Sequence, residues 1–556
     1  MERNIDSATN SKRGGVVLAV LGAAMFVYVI DTTLMNVSIS ALVEDLNTTV
    51  GEVQVAITLY TLTMASFMLT GGKLGDIWGS KRAFRIGLVV YGIGTTITAF
   101  APTIGFVIIG WSILEGLGSA LIVPAINTLV RANYEGSKRA SAYGVLFGVA
   151  AAGAAFGPLI GGWVTTYLSW RIAFGFEALI VLGVLVASGL IHDAAPVIPQ
   201  PKLDLVGVVL SVVGLGLLVF GVLQTTSRGW RDPIVLSLIS LGVGLTGLFV
   251  WWVRKMEAEG RPALVHPSIF RHRSTSAGLP ILSTQTFAQA GLLFLIPLFT
   301  QSLLGFDALQ TGLTLLPLSI GVLLTSTLTP SLGRKIYPKY IIQAGLVLLF
   351  VGGVILAMSL EDATQATDMA FGLLVGGLAI GLIAGQLPNL ILSGVDADEA
   401  SEASGLQGTA QNLGMALGTA VIGTVILSIA MSSIGNRVTE SAVVPETLKP
   451  QIQAALEGGF DTANVQGVED EIAAAPIEVQ SEIRTIYHDA VLRGFQGAIL
   501  VGGLVALFGA LLAFRLPKLK LPGGGGVEEA VRETVRSPAI PAMQFEMDDL
   551  PRSSRL

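Results

Sequence analysis

Three carboxylic acids stand inside long apolar runs of this chain. Asp31 lies in Ile30-Asp31-Thr32-Thr33-Leu34-Met35-Asn36, Glu115 in Trp111-Ser112-Ile113-Leu114-Glu115-Gly116, and Glu177 follows Trp170-Arg171-Ile172-Ala173-Phe174. An acid in hydrocarbon is costly enough to mark a functional position by default. The chemistry open to it is to take up and release a proton, or to attract a positive charge. Tyr28, Asp31, Met35 and Ser38 share one helical stripe. Trp111 precedes Glu115 by one turn on the same face. An aromatic face beside a carboxylate suits a lipophilic cation through apolar, cation–π and charge contacts together.

Counting along each run at about 1.5 Å per residue puts Asp31 and Glu115 some 15 Å deep, near the midplane of a bilayer. Glu177 falls nearer the outer interface, where a gate or headgroup-level carboxylate is an equal reading. The second half of the chain has no acid well inside a run. Its embedded polar residues are neutral: Gln285 and Gln289, Gln386 and Asn389, Gln407, Gln411 and Asn412. Lining a cavity and hydrogen bonding between helices are equally good uses for these amides.

The elements that must hold these groups are membrane helices. Of 556 residues, 52% are hydrophobic and 13% charged, about half the charge of a soluble domain. With about 20 apolar residues needed per crossing, fourteen runs qualify, grouped as six, two and six. They lie near 15–40, 53–72, 84–101, 104–130, 141–165 and 172–191, then 204–223 and 233–253, then 276–303, 310–330, 340–360, 369–392, 403–433 and 492–514. Lys and Arg crowd the loops on one side, including Lys73, Lys81, Arg82, Arg131, Lys138, Arg254, Lys255 and Lys335. That bias places both termini in the cytoplasm of a multi-pass protein of the cell (inner) membrane. The first run is too long for a cleavable signal peptide.

Absences narrow the chemistry. Without cysteine there is no disulfide or thiolate metal site, and the four histidines fall outside the apolar runs. No metal, no cofactor and no nucleic-acid partner is expected. No GxxxxGK[ST] phosphate cradle is present.

Two stretches carry recognisable spacing. Gly72-Lys73-Leu74-Gly75-Asp76-Ile77-Trp78-Gly79-Ser80-Lys81-Arg82 joins the second and third runs. Its glycines allow a tight turn, and Asp76 can meet a helix N-terminus or a basic partner. The fifth run holds Gly144, Gly153, Gly157, Pro158, Gly161 and Gly162. Small residues at helical spacing let a neighbouring backbone approach, and Pro158 favours a kink. The two six-run blocks echo each other. Leu74-Gly75-Asp76 and Gly87-Leu88-Val89 recur as Leu332-Gly333-Arg334 and Gly345-Leu346-Val347, and Gly144, Gly153 and Gly157 as Gly405, Gly414 and Gly418. Parallel repeats of this kind build two-lobed transporters.

These motifs resemble the cytoplasmic-loop and fifth-helix signatures of the major facilitator superfamily, within it the fourteen-span drug:proton antiporters. Asp31 resembles the acid of that family's first-helix motif D-x-T-x-x-N-x-A-x-P, although Ser40 replaces the proline. Ser112 and Glu115 stand at the Arg and Gln places of its RxxQGxG pattern. Glu177 stands at the Asn place of WRxxFxxN, and Gln411 where Arg is common. Ile77 and Ser80 depart from basic positions of the loop motif.

The resemblance implies an all-α membrane protein of 14 transmembrane helices, two six-helix lobes around a cavity plus an inserted helix pair. The boundaries are a cytoplasmic segment 1–14, an N-terminal lobe 15–191, the inserted pair 192–255, a C-terminal lobe 256–515 that includes an extracytoplasmic loop 434–491 with helical character, and a disordered cytoplasmic tail 516–556. It implies a monomeric, non-enzymatic, proton-coupled multidrug efflux antiporter for hydrophobic cations. An ion gradient supplies the energy. Asp31, Glu115 and Glu177 would couple protons to substrate. Tyr28, Met35, Trp111, Gln285, Gln289, Gln386, Asn389 and Gln411 would line the cavity. Gly72, Asp76, Gly79, Lys81 and Arg82, with the fifth-run glycines and Pro158, would serve conformational change. If the runs of Asp31 and Glu115 face one cavity, burial and mutual repulsion would both oppose ionising the pair. The alternatives are a lipid or glycolipid exporter of the same fold and, in a different class, a membrane-embedded enzyme or receptor.

Overall fold

In hydrocarbon every backbone N–H and C=O must be satisfied within the chain, so the apolar runs fold as helices. The computed structural model describes residues 2–193, 203–333, 335–361, 363–393, 395, 400–457 and 475–519. The expected tail beyond 519, the acidic positions 396–399 and the centre of the loop at 458–474 lie outside the described residues. No strand occurs among the described residues.

The long helices are α1 (Glu2–Val37), α2 (Val50–Trp78), α3 (Ser80–Ala99), α4 (Ile104–Asn133), α5 (Gly136–Tyr167) and α6 (Trp170–Ala187). Then come α7 (Leu205–Leu223) and α8 (Pro233–Ala258). The last six are α9 (Arg273–Ser302), α10 (Ala308–Thr329), α11 (Pro338–Ser359), α12 (Ala366–Leu392), α13 (Ala400–Glu440) and α14 (Ile477–Leu512). Thirteen of the described helices are long and apolar enough to cross a membrane. The helix outside that count is α3, whose first two turns carry Lys81, Arg82 and Arg85.

Each lobe is assembled on glycine. Helix α5 lies on α1 through Gly153, Gly157 and Gly161, where an added Cβ would meet Val29, Thr33 and the Leu34 backbone. Helix α13 lies on α9 in the same way, with Gly414 against Ser283 and Thr286 and Gly418 against the Phe287 carbonyl. Gly144 does not share this role. Nothing approaches its Cβ position. Helix α5 runs through Pro158 without ending.

The lobes meet along α2 and α13. Gln54 donates to the Thr419 carbonyl (2.9 Å) and Thr409 to the Ala65 carbonyl (3.0 Å). The inserted helices α7 and α8 pack on each other, and α7 covers this seam through Leu215 and Val219, beside Leu62 and Ala416. Helices α13 and α14 run longer than the sequence placed them. At about 1.5 Å per residue α13 is about 60 Å long, twice a hydrocarbon core. Their overhangs and the helix Lys449–Glu457 enclose a small core of Val438, Val444, Leu448, Ile452, Val479 and Ile486. An Arg437–Asp489 ion pair (2.6 Å) ties it.

Candidate functional site

Asp31, Glu115 and Glu177 come together inside the N-terminal lobe. They are 1%, 0% and 7% exposed, and one carboxylate oxygen from each lies within 4.8 Å of the others. Glu177 therefore belongs to the same cluster and not to an interfacial gate, because α6 packs against α3 and points it inward. Asp31 and Glu115 are enclosed and do not stand open on a cavity wall.

Neutral donors hold the acids. Trp111 donates its indole Nε1–H to both oxygens of Asp31, at 2.8 and 3.0 Å. The indole stacks on Tyr60, with centroids 4.6 Å apart and planes 6° from parallel. Tyr91 donates to Glu177 Oε1 at 2.5 Å, and Thr98 to Glu115 Oε1 at 3.3 Å. Glu115 Oε2 is buried with no hydrogen-bond partner. Among the described residues no Lys, Arg or His pairs with any of the three. Arg171, near Glu177 in sequence, instead pairs with Asp45 and lies 4.4 Å over the Trp170 ring.

Local backbone explains how Glu115 reaches this place. Residues Ile108–Glu115 form a π-helical segment within α4, a wider turn often found at functional sites. A Cβ on Gly94 would come within 2.9 Å of Glu115, and one on Gly110 within 2.7 Å of the Gly94 carbonyl. Only glycine at both positions lets α3 and α4 close around the acid. Ser112 donates to the Ala56 carbonyl at 2.7 Å, tying α4 to α2. Tyr60, Tyr91 and Thr98 were not singled out in the sequence, since a hydroxyl in an apolar run has many uses. Three oxygens at this spacing can share protons or hold a hard cation.

The expected cavity residues are placed unevenly. Met35 and Trp111 are buried beside the cluster, and Tyr28 faces Asn412 of the other lobe. Gln285 donates to Gln289 at 2.6 Å, one turn away. The Gln411 side chain is half-buried and Asn389 is exposed. Gln386 serves the C-terminal lobe itself, donating to the Thr329 carbonyl at 2.7 Å, because it sits where α12 crosses α10.

The loop motif is also resolved into parts. Gly79 has φ +89° between α2 and α3, and a Cβ there would meet Asp193. Lys81 donates its amide to Asp193 (2.9 Å) and its ammonium to the Gly189 (3.1 Å) and Ile191 (2.6 Å) carbonyls, capping the end of α6. Gly72 is buried against Pro124, while Arg82 is exposed. The contact across the lobes comes from Lys73. Its ammonium, 4% exposed, sits 2.9 Å from Glu402 at the start of α13. His266, just before α9, also faces Glu402, with Nδ1 at 2.8 Å and its amide at 3.0 Å. Sequence reading put Lys73 among loop cations, and nothing in its pattern paired it with Glu402.

Two helical lobes built on matching glycine contacts, with a trio of buried acids inside one of them, are an architecture suited to a membrane transporter. The profile of the Major Facilitator Superfamily matches residues 21–419. The chain belongs to that superfamily. It is 29% identical to the probable actinorhodin transporter of Streptomyces coelicolor, over 76% of this chain and 74% of the relative. It is 30% identical to the cephamycin export protein CmcT of Amycolatopsis lactamdurans, over 75% and 86%. Among solved structures, a bacterial homolog of the human lysosomal transporter Spinster, inward-facing and unoccupied, shares the fold. That match has a TM-score of 0.60 and 13% identity, covering 91% of this chain and 98% of the other.

Proposed function

We propose that this protein is a proton-coupled antiporter that exports hydrophobic, positively charged small molecules across the cell membrane by alternating access. The observation that carries the proposal is the enclosed trio Asp31, Glu115 and Glu177, held by neutral donors and free of basic partners. A cluster that cannot be neutralised by Lys or Arg is neutralised by what it binds, and three acids this close cannot all ionise in a dry site. The names of two relatives, a probable actinorhodin transporter and a cephamycin export protein, support the export of small-molecule antibiotics.

Trp111, stacked on Tyr60, covers Asp31 with its indole N–H, so proton and substrate need not touch the same oxygen. Ionised acids attract a cation held between the lobes. Protonation removes the attraction and frees the guest on the outer side. Loss of the proton inside resets the carrier. Lys73 and Glu402 hold the lobes together at the end that carries the basic loops, and opening there has to separate them.

Proteoliposomes with an imposed pH gradient test the coupling. The expected result is that Asp31→Asn, Glu115→Gln and Glu177→Gln lose gradient-driven uptake of a fluorescent cation while keeping substrate exchange. Full gradient-driven uptake in all three variants would falsify the assignment.

A further inference from the structure

A shallow groove of about 420 Å³ runs down the outer face of the C-terminal lobe between α11 and the end of α14. Its walls are Val347, Leu348, Val351, Ala510 and Phe514, with Gln343 at one end. Val347, Val351 and Phe514 are 44%, 40% and 68% exposed, as expected of a surface that meets acyl chains.

The Gln343 end of the groove is rimmed by cations. Lys339, one turn before Gln343, donates to the Phe514 carbonyl at 2.6 Å. Lys518 lies 5.9 Å over the Tyr340 ring, and Arg515 follows Phe514 directly. Among the described residues none of these three has a carboxylate partner. Basic residues at this end need no special reason. The amide of Gln343 does. Its Nε2 is buried, points no hydrogen bond at any protein group, and sits where the groove begins.

We propose that this groove binds one anionic phospholipid. The phosphate sits among Lys339, Arg515 and Lys518. About 6 Å deeper, one helical turn down α11, the Gln343 side chain turns its unpartnered amide out of the wall to donate to an ester carbonyl. An acyl chain then lies along Val347 and Val351. The order of cation, lone donor and apolar wall follows the order of phosphate, ester and chain in a glycerophospholipid, and basic pockets between membrane helices take such headgroups. The site is on the lipid-facing surface, apart from the acids of the other lobe, and is independent of the substrate reading.

Native mass spectrometry of the full chain, released from detergent supplemented with phosphatidylglycerol, phosphatidylcholine or inorganic phosphate, tests it. Wild type is expected to retain one phosphatidylglycerol in preference to phosphatidylcholine. Lys339→Gln/Arg515→Gln/Lys518→Gln is expected to retain it about fivefold less for each cation removed. Val347→Trp, which fills the groove and leaves every charge in place, is expected to lose it too. Arg254→Gln/Lys255→Gln, cations away from the groove, is expected to behave as wild type. If the triple variant does not fold, as judged by thermal unfolding, Val347→Trp carries the test alone. The proposal is overturned by equal retention of the two lipids, by retention unchanged in the groove variants, or by phosphate binding with no gain from the lipid.

Discussion

The two lobes share a scaffold and differ in their interiors. Gly157 of α5 presses on α1, and its counterpart Gly418 of α13 presses on α9. Around the first pair the lobe encloses Asp31, Glu115 and Glu177. Around the second, Gln285 donates to Gln289, and the buried acid of that lobe, Glu402, is paired with Lys73. Close packing is set by absent side chains and tolerates either content. The capacity to hold protons is set by three positions in one lobe. In the proposed coupling, this asymmetry assigns the proton-carrying role to the N-terminal lobe and leaves the C-terminal lobe as its partner surface.

The largest effect should come from removing that asymmetry. Glu115→Gln leaves shape intact and takes away the one acid with an unpartnered buried oxygen. Gradient-driven transport should fall by about 100-fold or more, the range of losing a proton-transfer group, with substrate exchange in the absence of a gradient preserved. The comparison is Gln289→Ala in the other lobe, expected to change apparent substrate affinity by less than about tenfold and leave the pH dependence unmoved.

Next is the seam. Lys73→Glu removes one member of a buried ion pair, a change of about 3–5 kcal/mol, and should cut folded yield and transport together. Lys73→Glu with Glu402→Lys restores the pair and should recover much of both. Recovery separates a contact between lobes from a loop that is merely basic. His266 faces the same carboxylate, so the swap should recover less than wild type.

The smallest effect distinguishes the two glycine seams. An added methyl at Gly418 meets the Phe287 backbone, whereas at Gly157 it meets the Thr33 hydroxyl first. A backbone cannot turn aside and a side chain can. Gly418→Ala should therefore lower the melting temperature in detergent more than Gly157→Ala, by about 1–3 kcal/mol of stability. An equal loss would mean that the seams are equally tight.

Much of this was legible beforehand. The apolar runs forecast the helices because hydrocarbon leaves a chain few other folds. Asp31, Glu115 and Glu177 were visible as acids among apolar neighbours, and Trp111 as a residue one turn from Glu115. Other features were not. Glu177 was placed nearer the outer interface, with a gate as good a reading as proton coupling, and only the packing of α6 on α3 brought it into the cluster. Tyr91 and Thr98 gave no signal, because one hydroxyl in a helix looks like another until its partner is known. Gln386 carried the same appearance as Gln285, yet it serves the lobe's own backbone. The helical character of 434–491 was legible, but not that its ends continue α13 and α14, because that continuation depends on a small core gathering around Val438 and Ile486.

Sequence alone determined that this chain forms membrane helices in two related halves, and that one half carries acids, because hydropathy and residue type are local properties. Tertiary structure decided that three acids from separate helices meet within 4.8 Å, that Lys73 pairs with a residue 329 positions away, and that Trp111 stacks and donates at once. Those facts depend on how helices rotate and cross, and the angle of a helix about its axis is fixed by the partners it packs against, not by its own residues.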